Sequence, residues 1–234
     1  MSERKPIVLV TGTSRGIGRH LAEHYLSAGC RVIGCSRGES DLAAEGYEHH
    51  RLDIADETAA CALLREVRRG HGGLDVLINN AALASMSHSL MTAASAARDM
   101  LEVNVLGTFV LSREAAKLMR TSGGGRIINF TSVAVPLKLE GEAVYAASKA
   151  AVESLTQILA REFAPFEVTV NAVGPCPVDT AMTRGVPDAK LQALLERQAL
   201  PRPATMQDVA NVIDFLIQPE SRMVTGQTIY LGGP

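Results

Sequence analysis

The sequence predicts a doubly wound α/β fold: a parallel sheet of seven strands with helices on both faces. Three observations carry this. Short continuous apolar runs such as Ile7–Val10 recur along the chain, and such runs suit strands buried on both faces. Amphipathic helical stretches separate these runs, so strand and helix alternate from end to end. The first run leads straight into a glycine-rich turn that opens a helix. No linker, repeat or low-complexity stretch breaks the alternation, so residues 1–234 are expected to form one domain.

Bulk properties narrow the function. The chain has 234 residues, 47% hydrophobic and 21% charged, ordinary globular values for a length that can bury a sizeable core. A net charge of −2 leaves no basic footprint for nucleic acid, and 4% aromatics without Trp supply no stacking platform. Arg65, Arg68 and Arg69 read as a solvated helix end. No signal-type segment is expected at Met1–Pro6, and no apolar run reaches the roughly 18 residues of a membrane span. Cys30, Cys35, Cys61 and Cys176 lack metal-type spacing, so no metal and reduced thiols in a cytoplasmic protein are expected.

Taken in order, Ile7–Val10 is the first strand and Ile17–Ala28 the first helix, closed by Gly29. Between them lies Thr-Gly12-Thr-Ser14-Arg15-Gly16-Ile17-Gly18. Glycines let backbone N–H groups approach a pyrophosphate, and the helix N-terminus adds partial positive charge. The spacing is Gly-x-x-x-Gly-x-Gly rather than Gly-x-Gly-x-x-Gly, and a tight turn without ligand is the alternative. Arg31–Cys35 is the second strand. An acidic residue at its end would accept hydrogen bonds from a ribose 2′-OH. Here stand Ser36 and Arg37, which do not repel a 2′-phosphate, and a guanidinium binds one. Arg15 is a second candidate for that phosphate. NADP(H) is therefore favoured, with NAD(H) the alternative.

Tyr47–Leu52 makes a third strand ending at Asp53-Ile54, and Asp56–Arg69 a helix. Leu74–Ile78 is a fourth strand ending in Asn79-Asn80-Ala81-Ala82, where Asn side chains brace the sheet edge and small residues let a nucleotide lie close. Thr92–Arg120 reads as largely helical, with Asn104 inside it. Arg126–Thr131 is a fifth strand that delivers Ser132 at its carboxyl end, where ligands bind in such sheets. Glu142–Phe163 reads as a helix, and its Tyr145 and Lys149, four apart, share one face. Phe166–Ala172 is the sixth strand, followed by Gly174-Pro175-Cys176-Pro177. Val178–Leu200 reads as loop and helix, a candidate lid over a substrate. Thr205–Ile217 is a capped helix and Gly226–Leu231 the last strand.

The glycine loop, Asn-Asn-Ala-Ala, Asn104, Ser132, Tyr145-Ala-Ala-Ser-Lys149, Asn171-Ala-Val-Gly-Pro175 and Val224-Thr-Gly-Gln-Thr-Ile-Tyr stand in a telling order. On these stretches the chain resembles the short-chain dehydrogenases/reductases, Rossmann-type enzymes, across essentially its full length. It looks most like their 3-oxoacyl-carrier-protein reductase subgroup. The resemblance implies a catalytic tetrad of Asn104, Ser132, Tyr145 and Lys149. Tyr145 would donate the proton in reduction, Ser132 bond the substrate oxygen, Lys149 together with the oxidised nicotinamide lower the phenol pKa, Lys149 also hold the nicotinamide ribose, and Asn104 position a relay water. It implies cofactor contacts from Gly12, Ser14, Arg15, Gly16, Ile17, Gly18, Ser36, Arg37, Asp53, Ile54, Asn80, Ala81, Tyr145, Lys149, Pro175, Val178 and Thr180. It implies a small keto or hydroxy substrate, thioester-linked ones included, and a homotetramer or homodimer packed through the Thr92–Arg120 and Glu142–Phe163 helices. The alternatives are an NAD-linked dehydrogenase of a secondary alcohol or diol, and a non-catalytic NADP-binding regulator on the same fold. Departures from the subgroup are Ala82 and Cys176 where glycines are usual, and Glu142 where Gln or Asn is frequent. Ala164-Pro165-Phe166 also lacks the arginine that docks acidic carrier protein, which leaves Arg120 and Arg126 as candidates.

Overall fold

A computed structural model describes residues 5–180 and 186–234. Its centre is one seven-stranded sheet, parallel at every pairing: β1 (Ile7–Thr11), β2 (Arg31–Ser36), β3 (Tyr47–Arg51), β4 (Val76–Asn79), β5 (Gly125–Phe130), β6 (Val168–Gly174) and β7 (Thr228–Tyr230). The spatial order is β3-β2-β1-β4-β5-β6-β7. Chain direction across the sheet therefore reverses between β1 and β4, the position where a crevice opens at the strands' carboxyl ends.

Side chains alternate between the faces of a strand, and β1 shows the consequence. Ile7 and Leu9 join one buried cluster, while Val8 and Val10 join another. The first cluster is covered by α2 (Glu57–His71), α4 (Thr108–Ser122) and α6 (Ala143–Phe163), the second by α1 (Gly16–Ser27) and α8 (Met206–Ile217). Both faces being covered is why the central strands read as unbroken apolar runs. β3, at one edge, is mostly polar and has no fully buried residue.

Local chemistry sets the helix ends. Asp56 caps α2 by accepting from the Ala59 N–H at 3.1 Å. Thr205 and Asp208 form a reciprocal capping box on α8. The expected Thr92–Arg120 helix is three segments: α3 (Ala94–Leu101), a π-helical stretch Glu102–Gly107 that holds Asn104, and α4. The sixth strand starts two residues later than the sequence suggests. Pro165 opens a 3₁₀ turn there, and Glu167 takes a left-handed φ of 58°. The short α5 (Ala134–Leu137) leads from β5 toward α6. In the lid-like segment, α7 spans Asp188–Leu195, and the rest of that reading includes residues 181–185, outside the described residues. Among the described residues no helix is long and apolar enough to cross a membrane, and no metal-ligand cluster forms.

Candidate active site

The crevice is built where β1 and β4 part. Thr11 ends β1, and its Oγ1 accepts from the Asn80 and Ala81 N–H groups at 3.0 and 2.9 Å. The Asn80 amide donates to the Thr11 carbonyl at 2.8 Å. These bonds tie the glycine loop to the end of β4. Gly12 lies over the same residues with φ +78°, and a Cβ on Gly18 would stand 2.3 Å from the Gly12 carbonyl and 2.5 Å from Asn80 Nδ2. Both positions are therefore closed to any larger residue. Gly16, at φ +61°, has room around it, with the Thr180 methyl 3.7 Å from a virtual Cβ, so Thr180 overhangs the loop.

This cradle fits the phosphates of a dinucleotide. Arg15 precedes α1 with no side-chain cap, and the first turn of α1 holds no acidic residue. Its N–H groups are left for an anion. At the next strand, the Ser36 hydroxyl turns inward, donating to the Gly38 carbonyl at 2.9 Å and lying 3.3 Å from His49 Nε2. Arg15 and Arg37 stay exposed. Asp53 and Ile54 form the turn after β3. Asp53 accepts from the Ala55 N–H, and Ile54 is buried against Gly107.

Beside the cradle, Ser132 follows the end of β5, and Tyr145 and Lys149 lie on one face of α6. All three line a cleft shared with Ile17, Asn80, Pro175, Val178 and Thr180. Buried bonds between sheet and helix fix α6 in place: Asn129 of β5 donates to Thr156 Oγ1 at 2.9 Å and accepts from the Asn79 amide at 2.9 Å. The Ser132 hydroxyl accepts from the Ala134 N–H at 3.2 Å and faces the same cleft as the Tyr145 phenol. Lys149 is buried and donates to the Phe130 carbonyl at 2.8 Å, its ammonium 5.9 Å from the centre of the Tyr145 ring.

Burial dominates the electrostatics of the pair. Burial pushes the Tyr145 phenol up to about 12, the neighbouring Ser132 hydroxyl opposes that, and the Glu142 charge adds to it. Burial pushes Lys149 down to about 8. The phenol is thus a held proton at neutral pH rather than one already weakened by the lysine. The physical reason is that desolvation acts on both groups of a dry pair, while the ammonium spends a bond on a backbone carbonyl.

Asn104 is fully buried, and both its N–H bonds are used, to the Leu83 carbonyl at 2.8 Å and Ser148 Oγ at 3.0 Å. Its Oδ1 accepts from the Leu83 N–H at 2.8 Å. The side chain is committed to the protein. It joins the loop after β4 to α6 from within the π turn.

Three groups were missed in the sequence. Thr11 gave no signal because its partners lie about seventy residues away. Glu153, one turn beyond Lys149, accepts from Thr131 at 2.5 Å and from Tyr230, bracing the residue before Ser132. Met86 and Leu194 line the cleft mouth, and nothing in their local pattern marks them.

With the geometry in place, comparison with known proteins is informative. Residues 12–233 match the family model described as enoyl-(acyl carrier protein) reductase. The chain is 33% identical to the 3-oxoacyl-[acyl-carrier-protein] reductase of Vibrio cholerae over 97% of this chain and 96% of that one, and matches the Escherichia coli reductase to the same extent. Among solved structures, the ligand-free aldohexose dehydrogenase of Thermoplasma acidophilum superposes with a TM-score of 0.89 at 29% identity, covering 98% and 94% of the two chains. A 4-hydroxyisoleucine dehydrogenase complexed with NADH gives 0.88 at 26%, covering 98% of each. The chain belongs to the short-chain dehydrogenase/reductase family. It is an oxidoreductase acting on CH–OH groups, similar to the 3-oxoacyl-carrier-protein reductases.

Proposed function

We propose that the protein is an NADP(H)-dependent ketoreductase that acts on 3-oxoacyl-type or related keto substrates and on the corresponding secondary alcohols. The observation that carries this reading is the grouping of Ser132, Tyr145 and buried Lys149 in one cleft continuous with the glycine cradle. The bound nicotinamide supplies hydride in reduction and takes it in oxidation. Ser132 and Tyr145 hold the substrate oxygen, and Tyr145 gives that oxygen its proton as negative charge develops. Its raised pKa keeps the proton available across the physiological range. The Lys149 charge stabilises the phenolate left behind, and the ammonium reaches the cofactor ribose. Arg15 and Arg37 support a 2′-phosphate, since both guanidinia are exposed at the cradle's adenosine end. An NAD-linked dehydrogenase is the second reading, favoured by the NADH carried by the similar 4-hydroxyisoleucine dehydrogenase.

A single domain and a homotetramer or homodimer complete the proposal. Leu101, Leu106 and Ile158 are 43%, 49% and 50% exposed on the helical stretches expected to pack between subunits. A carrier-bound substrate gains no support from Arg120 or Arg126: Arg120 lies over the Phe166 ring, and half-buried Arg126 bonds the Gly125 carbonyl.

Cofactor choice is tested by titrating NADPH and NADH into wild type and Arg37→Ala. The substitution weakens NADPH binding about tenfold, the worth of one charge-assisted phosphate contact, and hardly alters NADH. Equal losses for both cofactors would place Arg37 away from the phosphate.

A further inference from the structure

Glu142 is the one acidic side chain lining the described cleft, whose walls are mostly apolar with a few neutral polar residues and Lys149. It stands at the N-cap of α6 yet makes no capping bond with its side chain. Its backbone is used, the N–H donating to Leu139 at 3.3 Å and the carbonyl accepting from Ala146 at 2.7 Å. Among the described residues no hydrogen bond or ion pair holds its carboxylate. A half-buried carboxylate that lines a cleft and has no protein donor is open to a donor entering that cleft. Glu142 stands three residues before Tyr145 at the start of α6 and lines the same cleft. Burial raises its pKa, as expected of a carboxylate that lacks a partner.

Resting on the ketoreductase reading above, we infer that Glu142 is a specificity residue that accepts a hydrogen bond from a donor on the substrate, a hydroxyl or ammonium on the carbon beside the reacting carbonyl. The preferred substrates are then α-hydroxy or α-amino ketones and the matching vicinal diols or amino alcohols, rather than plain 3-oxoacyl chains. In reduction the carbonyl carbon gains a hydride and its oxygen the Tyr145 proton. The nicotinamide cofactor is oxidised, and the neighbouring donor group is unchanged. Met86, Leu139 and Leu194 at the cleft mouth suit an apolar remainder.

The test compares kcat/KM for hexan-2-one, 3-hydroxyhexan-2-one and 3-aminohexan-2-one, with NADPH and with NADH, in wild type and Glu142→Gln. A hydrogen bond to a charged group predicts that wild type prefers a donor-bearing ketone about tenfold or more. E142Q loses most of that ratio, chiefly through KM. Preference for the hydroxy ketone marks a neutral donor and preference for the amino ketone an ion pair, and either supports the inference. Glu142→Asp, which shortens the reach, should lower the same ratio if E142Q folds poorly. A ratio equal in wild type and both variants overturns the inference while the ketoreductase reading stands. No turnover of any ketone by wild type with either cofactor overturns both.

Discussion

Tyr145 and Lys149 pull against each other through water they have both lost. Burial raises the phenol and lowers the ammonium, so each is biased toward its neutral form. For Lys149 the sign of the resulting pH dependence follows directly. Its folded pKa, about 8, lies below the ordinary 10.5, so between those values the unfolded chain binds more protons. Stability from this group therefore rises with pH across that window and is flat below it. The difference is worth about 3 kcal/mol. Lys149→Met removes the titration but also strands the Phe130 carbonyl, a loss that does not change with pH. Urea unfolding at pH 7 and pH 10 separates the two: wild type should gain on the variant by about 2–3 kcal/mol over that interval. Parallel behaviour would mean that Lys149 is better solvated than its burial implies. The residues themselves were visible in the sequence as a Tyr-x-x-x-Lys spacing. Their protonation balance was not, because it depends on Phe130 and on dryness that no local pattern reports.

The glycine loop is the element whose sequence and geometry agree best, and its glycines serve different ends. Gly16→Ala meets no atom closer than ordinary contact and suffers only its left-handed φ, a cost of about 1–2 kcal/mol. Gly18→Ala drives a methyl into the Gly12 carbonyl and Asn80. It should cost about 1–3 kcal/mol in overpacking and also open the cradle. Dinucleotide affinity, read by fluorescence titration, should therefore fall far more for Gly18→Ala than for Gly16→Ala. Equal affinities would mean that the loop relaxes freely. The buried ladder behind α6 makes a second prediction at this scale. Asn129→Ala strands polar groups on Asn79 and Thr156 and should lower unfolding free energy by about 2–4 kcal/mol, measured by urea denaturation. The π turn was not legible. A polar Asn104 in a helical pattern hinted at something, but the extra residue in the turn is set by Leu83 and Ser148, 21 and 44 positions away. Ile54 packs closely against Gly107 from yet another segment.

Across the whole molecule, the doubly wound sheet was legible because its central strands are buried on both faces and announce themselves without alternation. The strand order was not written in any one run. It follows from covering both faces with right-handed crossovers, and it puts β1 beside β4 so that the cradle and Asn80 meet. Ser132, Tyr145 and Lys149 were brought together as the sequence suggested. Glu142 stood out in the sequence only as a departure from a resemblance, and its place in the cleft gave it meaning. All of this converges on one proton. The measurement that tests it most directly is the single-turnover rate of ketone reduction by Tyr145→Phe with saturating NADPH. The variant should still bind NADPH and fold as wild type does, while its rate falls about 10²–10⁴-fold, the usual share of a general acid. A rate within a few-fold of wild type would show that the proton comes from elsewhere.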